Sequence, residues 1–80
     1  MATVLRVDRY RFFFYSRENA EPPHIHVELA DKVAKYWLDP VELASSRRFR
    51  AHELADVRDL VVKHRERFLE AWHEHFRANR

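Results

Sequence analysis

Two regimes of hydrophobic patterning meet near residue 40 of this 80-residue chain. Before it, aromatic and β-branched residues alternate with polar ones, the period-two signature of half-buried strands. After it, apolar positions recur every three or four residues among Ala, Glu, Arg and His, as on one face of a helix. The boundary predicts a sheet over about residues 2–39 and a helical part over about 40–78, forming one α+β domain across 1–80.

Register sorts the sheet half into two faces. With Asp31-Lys32 as a two-residue hairpin loop, Val27 faces Tyr36, His26 faces Trp37, Glu28 faces Lys35 and His24 faces Asp39. Ile25, Val27 and Leu29 then share the core side with Ala34, Tyr36 and Leu38. His24, His26 and Glu28 share the other side with Lys35, Trp37 and Asp39. An Asp8-Arg9 loop likewise pairs Val7 with Tyr10, Leu5 with Phe12 and Thr3 with Phe14. Its second face holds Val4, Arg6, Arg11, Phe13 and Tyr15. Arg6 directly opposite Arg11 is unfavourable unless an acidic group or an anion lies between them. Joined through Arg17–Pro23, the two hairpins make a four-stranded antiparallel meander with one apolar face and one mixed face.

In the second half, Leu54, Val57, Val61, Phe68, Trp72 and Phe76 form a helical stripe, widened by Leu60, Leu69 and Ala71, that should cover the apolar side of the sheet. A continuous helix over 51–77 would be about 40 Å long at about 1.5 Å per residue. The stripe is interrupted at residues 63–67, Lys-His-Arg-Glu-Arg, where a bend would fall. Residues 39–49, which open with Asp-Pro, read as a short proline-started helix or turn feeding the long one.

Composition narrows the class. There is no cysteine, so disulfides and thiolate metal sites are excluded. There is no glycine either, which moves the turns onto residues that tolerate left-handed backbone, with Asp8, Asn19 and Asp31 as candidates. No stretch has the length and apolarity of a membrane span or an export signal, so a cytoplasmic protein is expected. A net charge of +2 permits a phosphate-bearing partner without demanding one.

The candidate chemistry sits in the run Glu21-Pro-Pro-His-Ile-His-Val-Glu-Leu29. The prolines stiffen the approach, and His24 and His26, two apart on a strand, project from one side. Three readings follow. In the first, His24 and His26 act on or bind RNA or another phosphate-bearing target. Arg6 and Arg11 would clamp the anion, one imidazole would move the proton if chemistry occurs, and Phe13, Tyr15, Lys35, Trp37 and Asp39 would complete the surface. In the second, His24 and His26 are ligands of a divalent metal such as zinc or nickel, completed by His73 or a second subunit. Glu28 is about 13 Å along the strand from His24, too far to share that ion, and reads better as an ion-pair partner of Lys35. In the third, the face is a dimerisation or partner interface and the histidines only make hydrogen bonds. His73 and His75 are about 200° apart around a helix, so they cannot hold one ion together. His75 reads as a packed or capping residue near the helix end, and His52 and His64 as solvated ones.

Residues 3–28, from Thr-Val-Leu through Tyr-Arg-Phe-Phe-Phe-Tyr-Ser to Pro-Pro-His-Ile-His-Val-Glu, resemble the small bacterial family known as domain of unknown function 4160. So do Ala34–Ala44 and Leu69–Phe76. The matching motif residues are Pro22, Pro23, His24, His26, Trp37, Asp39, Pro40, Trp72 and His73. The resemblance implies a small protein with a cognate protein partner encoded beside it, and some members are described as components of toxin–antitoxin pairs. This chain departs from the family where glycines are usual, at both hairpin loops. It departs again at the start of the long helix, where Arg50 replaces a customary serine, and at His75, where an aromatic is usual. A homodimer or a heterologous pair is therefore the expected assembly.

Overall fold

The computed structural model describes residues 2–15 and 20–77. Asn19, one of the candidate turn residues, lies outside them. The architecture is α+β: five strands, β1 (Ala2–Val7), β2 (Tyr10–Phe14), β3 (His24–Leu29), β4 (Lys32–Leu38) and β5 (Val41–Arg47), then two helices, α1 (Ala51–Lys63) and α2 (Arg65–Arg77). The strands form one antiparallel sheet in chain order, a meander one strand longer than the alternation of the first 39 residues suggests.

The extra strand corrects the reading of residues 39–49 as helix or turn. Asp39 and Pro40, joined by a cis peptide bond, make a two-residue turn that sets Leu38 opposite Val41. The strand that follows, Val41–Arg47, pairs along β4 at every residue but Ala44. Left alone, β4 would carry an edge of unsatisfied backbone groups, and pairing those groups outweighs the good intrinsic helix propensity of Glu42, Leu43 and Ala44.

The β1–β2 hairpin turns at Asp8-Arg9 as its sequence requires, with Asp8 in the left-handed region at φ 56°. Arg6 does face Arg11. Beyond Leu5, however, Val4 is an extra residue, so Thr3 pairs with Phe13 rather than Phe14. This bulge carries Val4 onto the core, and Thr3 joins Arg11 instead. The β3–β4 hairpin turns one residue earlier than expected. Leu29 pairs with Lys32, and Ala30, not Asp31, takes the left-handed conformation at φ 55°. His24 therefore faces Trp37 rather than Asp39, His26 faces Lys35, and Glu28 faces Val33. Each cross-strand partner shifts by two residues, so no side chain changes face.

The long helix is two helices. His64, at φ −105° and ψ 15°, interrupts the helical backbone within the expected segment 63–67. Its N–H donates to the Leu60 carbonyl and its carbonyl accepts from Phe68, so the chain bends with those backbone groups satisfied. His64 is half-buried there, 6.1 Å from Phe68 between ring centroids, rather than simply solvated. Arg65 fixes the bend to the sheet, its Nε donating to the Leu38 carbonyl at 2.6 Å and its guanidinium reaching Asp39 at 2.9 Å. Both helices lie on one side. Val57, Val61, Phe68, Trp72 and Phe76 close over Phe12, Phe14, Ile25, Val27, Tyr36 and Leu38 in one hydrophobic cluster. Where the Tyr36 ring reaches the helices, its hydroxyl donates to the Leu54 carbonyl at 2.8 Å, and burial pushes the phenol above its usual range.

Candidate functional site

The helices leave the second face of the sheet uncovered, and the strand alternation brings the predicted residues to it. Phe13 from β2, His26 from β3, and Lys35 and Trp37 from β4 stand side by side, with Tyr15 just beyond β2. Their rings interlock. Phe13 stacks on His26 at 5.4 Å with 22° between planes, while Tyr15 meets His26 edge-on at 4.7 Å and Phe13 at 5.3 Å. Cations cap the row at both ends. The Arg11 guanidinium lies 4.2 Å from the Phe13 centroid, and the Lys35 ammonium lies 4.7 Å from that of Trp37.

These cations are already compensated. Arg11 Nε donates to Glu28 at 2.6 Å and Nη1 to Thr3 Oγ1 at 2.9 Å, so Glu28 is the acidic group that makes the Arg6–Arg11 opposition tolerable. Glu28 is thus the partner of Arg11 rather than of Lys35, which bonds Glu21 at 2.5 Å. Arg6 stays exposed opposite Arg11.

The two box histidines part company. Their rings are neighbours at 5.1 Å, yet they do not share an open pocket. His24, at the very start of β3, has no exposed surface. Its ring lies 4.7 Å from Trp72 of α2 and 5.6 Å from Trp37. Nδ1 is 3.0 Å from the Pro22 carbonyl, and since a carbonyl only accepts, that nitrogen carries the hydrogen. Alternation does send His24 toward the Trp37 side, but the strand ends there and Trp72 reaches across the end of the sheet to close over it. His26, half-buried, is the box histidine on the open face.

The remaining candidates disperse. Asp39 sits in the β4–β5 turn with its carboxylate on Arg65, two residues past Trp37, the cross-strand partner of His24. His73 is exposed on α2, and His75 packs on Phe76 at 4.7 Å and Phe14 at 6.2 Å. Among the described residues no group of three or more His, Asp or Glu side chains is placed to hold a metal ion, so His24, His26 and His73 do not form one ligand set.

A family model described as domain of unknown function, DUF4160, matches residues 10–73, about four-fifths of the chain, from the start of β2 well into α2. The chain belongs to the DUF4160 family. No curated protein and no solved structure is similar enough to match it. The matched span of this DUF4160 chain contains the whole aromatic row, both box histidines and Trp72. Among the described residues no helix is long and apolar enough to cross a membrane.

The open face extends further than the sequence suggested, because β5 adds to it. A concavity of about 410 Å³ runs from Phe13, Tyr15 and His26 across Lys35 to Val33, Ser45, Ser46 and Arg47. The signal for this part was present in Asp39-Pro40 followed by Val41-Glu42-Leu43, a turn dipeptide and a short alternation, but it was masked by the good helix formers around it.

Proposed function

We propose that this DUF4160 domain is a protein-interaction component that docks a second chain on the uncovered face of its sheet. It would form one half of a two-protein pair of the toxin–antitoxin kind that the family resemblance implies. One observation carries the reading: an aromatic row of Tyr15, His26 and Trp37, backed by the buried Phe13 and capped by Arg11 and Lys35, lies on the side that neither helix covers. Tyr, Trp and Arg are the residues that carry most of the energy at protein interfaces, and Tyr15 is 50% exposed there.

The charge state of the face favours protein over nucleic acid. A polyanion needs several uncompensated cations along its path, whereas Arg11 and Lys35 are held by Glu28 and Glu21, and Arg6 and Arg47 stand apart on the two opposite edge strands, β1 and β5, rather than in a continuous row. His24, fully buried and tied to Pro22, is a pin joining sheet to α2 rather than a group that exchanges protons with a substrate.

Site-specific photo-cross-linking in cells tests this reading. A benzophenone side chain replacing Val33, exposed beside the aromatic row, should give a discrete, nuclease-resistant adduct. The same group replacing Val62, exposed on α1, should give none. An adduct of twice the chain's mass makes the second chain another copy, and one of a different mass makes it a distinct protein. A nuclease-sensitive adduct, equal adducts at the two positions, or none at Val33 defeats the proposal.

A further inference from the structure

The concavity across β4 and β5 differs in charge from the rest of the open face. Its lining includes two cations, Lys35 and Arg47, three hydroxyls, on Tyr15, Ser45 and Ser46, and no carboxylate. By contrast, the groove of about 480 Å³ between the β1–β2 turn and α1 carries Asp8, Asp56 and Asp59 alongside Arg9 and Lys63. Arg47 faces Val33 across the ladder and Ser45 faces Lys35, so all four share one side of the sheet. Neighbours two apart on a strand are separated by about 7 Å, which puts Ser45 and Arg47 within reach of one small anionic group. Lys35 is already held by Glu21, but Arg47 makes no salt bridge among the described residues. The extra residue of β5, Ala44, makes this grouping possible. Lys35 pairs with Ser45 while Tyr36 pairs with Leu43, and this shift returns Ser45 and Arg47 to the side of Glu42.

We infer that this concavity receives a short acidic segment of the docked protein, one carboxylate lying on the Arg47 guanidinium beside the Ser45 hydroxyl and an adjacent apolar side chain lying against Val33 and Tyr15. The inference rests on the reading of the open face as a docking surface and names the chemistry of what docks. Guanidinium binds carboxylate through two parallel N–H donors, a match in shape as well as charge. Val33 and Tyr15, 37% and 50% exposed, supply the apolar wall. Within the concavity Arg47 is the one arginine, which suits one carboxylate, and a nucleic acid backbone would need a row of such cations.

The test uses the full chain and three probes: a capped hexapeptide Ser-Val-Glu-Leu-Glu-Ser, the same peptide with Gln for Glu, and octauridylate. Amide and indole resonances are followed by NMR. The acidic peptide should shift Ser45, Ser46, Arg47 and the Trp37 indole, with the Gln peptide at least about tenfold weaker. Arg47→Gln should weaken the acidic peptide about tenfold, to the level of the Gln peptide, while the spectrum keeps its folded dispersion; Arg47→Lys should recover part of the loss. Equal binding of both peptides at this face overturns the carboxylate assignment and leaves the docking surface standing. Shifts confined to other surfaces, or none at all, overturn the assignment, with the cross-link at Val33 deciding the docking reading separately. Tighter binding of octauridylate than of the acidic peptide overturns both.

Discussion

Arg50 stands where the first helix needs a cap, and arginine has no acceptor to give the open N–H groups of the first turn. Glu53 meets part of that need. Its carboxylate accepts from the Arg50 N–H at 2.9 Å and from Lys32 of β4 at 2.5 Å, so one side chain both caps α1 and ties it to the sheet. The Lys32 bond, then the Arg50 N–H, hold its carboxyl below the usual carboxylate range. The sign follows from which state binds the proton more tightly. In the unfolded chain Glu53 takes up its proton at the ordinary carboxylate pKa, and in the folded chain only at lower pH. Its contribution is therefore complete above the ordinary range and is lost as pH falls through that range toward the depressed folded value. Urea titrations from neutral pH into acid should show stability falling for the native chain, with Glu53→Gln less stable near neutrality and flatter across the acid limb. Parallel acid limbs in the two proteins would mean that the pairing contributes nothing.

At the scale of elements, faces were legible in the sequence and partners were not. Ile25, Val27, Ala34, Tyr36 and Leu38 fall on the core and His26, Lys35 and Trp37 on the open face as alternation requires, because a shift of two residues in pairing preserves sides. The turn itself was misplaced, since Asp31 is the better left-handed residue by intrinsic preference. Asp31 instead directs its carboxylate to Arg48 at 2.6 Å, and Arg48 directly follows a strand that the sequence presents as helix or turn. With β5 unseen, nothing in the sequence could weigh that ion pair against the preference at Ala30. The burial of His24 was hidden for a similar reason: alternation assigns a side but cannot tell that Trp72 closes the end of the strand. The misplaced turn has a measurable cost. Ala30 holds φ 55°, which a β-carbon disfavours by about 1–2 kcal/mol, only part of which glycine would give back in unfolded-chain entropy. Ala30→Gly should raise stability by about 1 kcal/mol, seen as a higher urea midpoint at constant slope and a melting temperature about 5 °C higher. An unchanged or lowered midpoint would show that the turn is not strained there.

For the whole molecule, the question is which surface joins another chain, because a five-stranded open sheet offers two edges as well as a face. Both edges are bulged. Val4 is the extra residue in β1 and Ala44 in β5, and a bulge bends its strand and breaks the regular spacing of outward N–H and C=O groups that a further strand would need. The sheet is thus closed to growth at its sides while its uncovered face stays available, which fits docking on the aromatic row better than edge-to-edge pairing. Removing the obstruction tests the point. Deleting Ala44 brings Ser45 directly after Leu43, so Tyr36–Leu43 and Lys35–Ser45 become consecutive pairs, β5 runs as a regular ladder, and every side chain keeps its face. The variant should retain the fold by circular dichroism but form dimers or larger species through its straightened edge, detectable as a concentration-dependent mass by light scattering. Association should persist when Tyr15 and Val33 on the open face are both replaced by serine. Were the deletion variant to keep the native association state, the bulge would not be what guards that edge, and the case for the face over the edge would have to rest on its aromatic row alone.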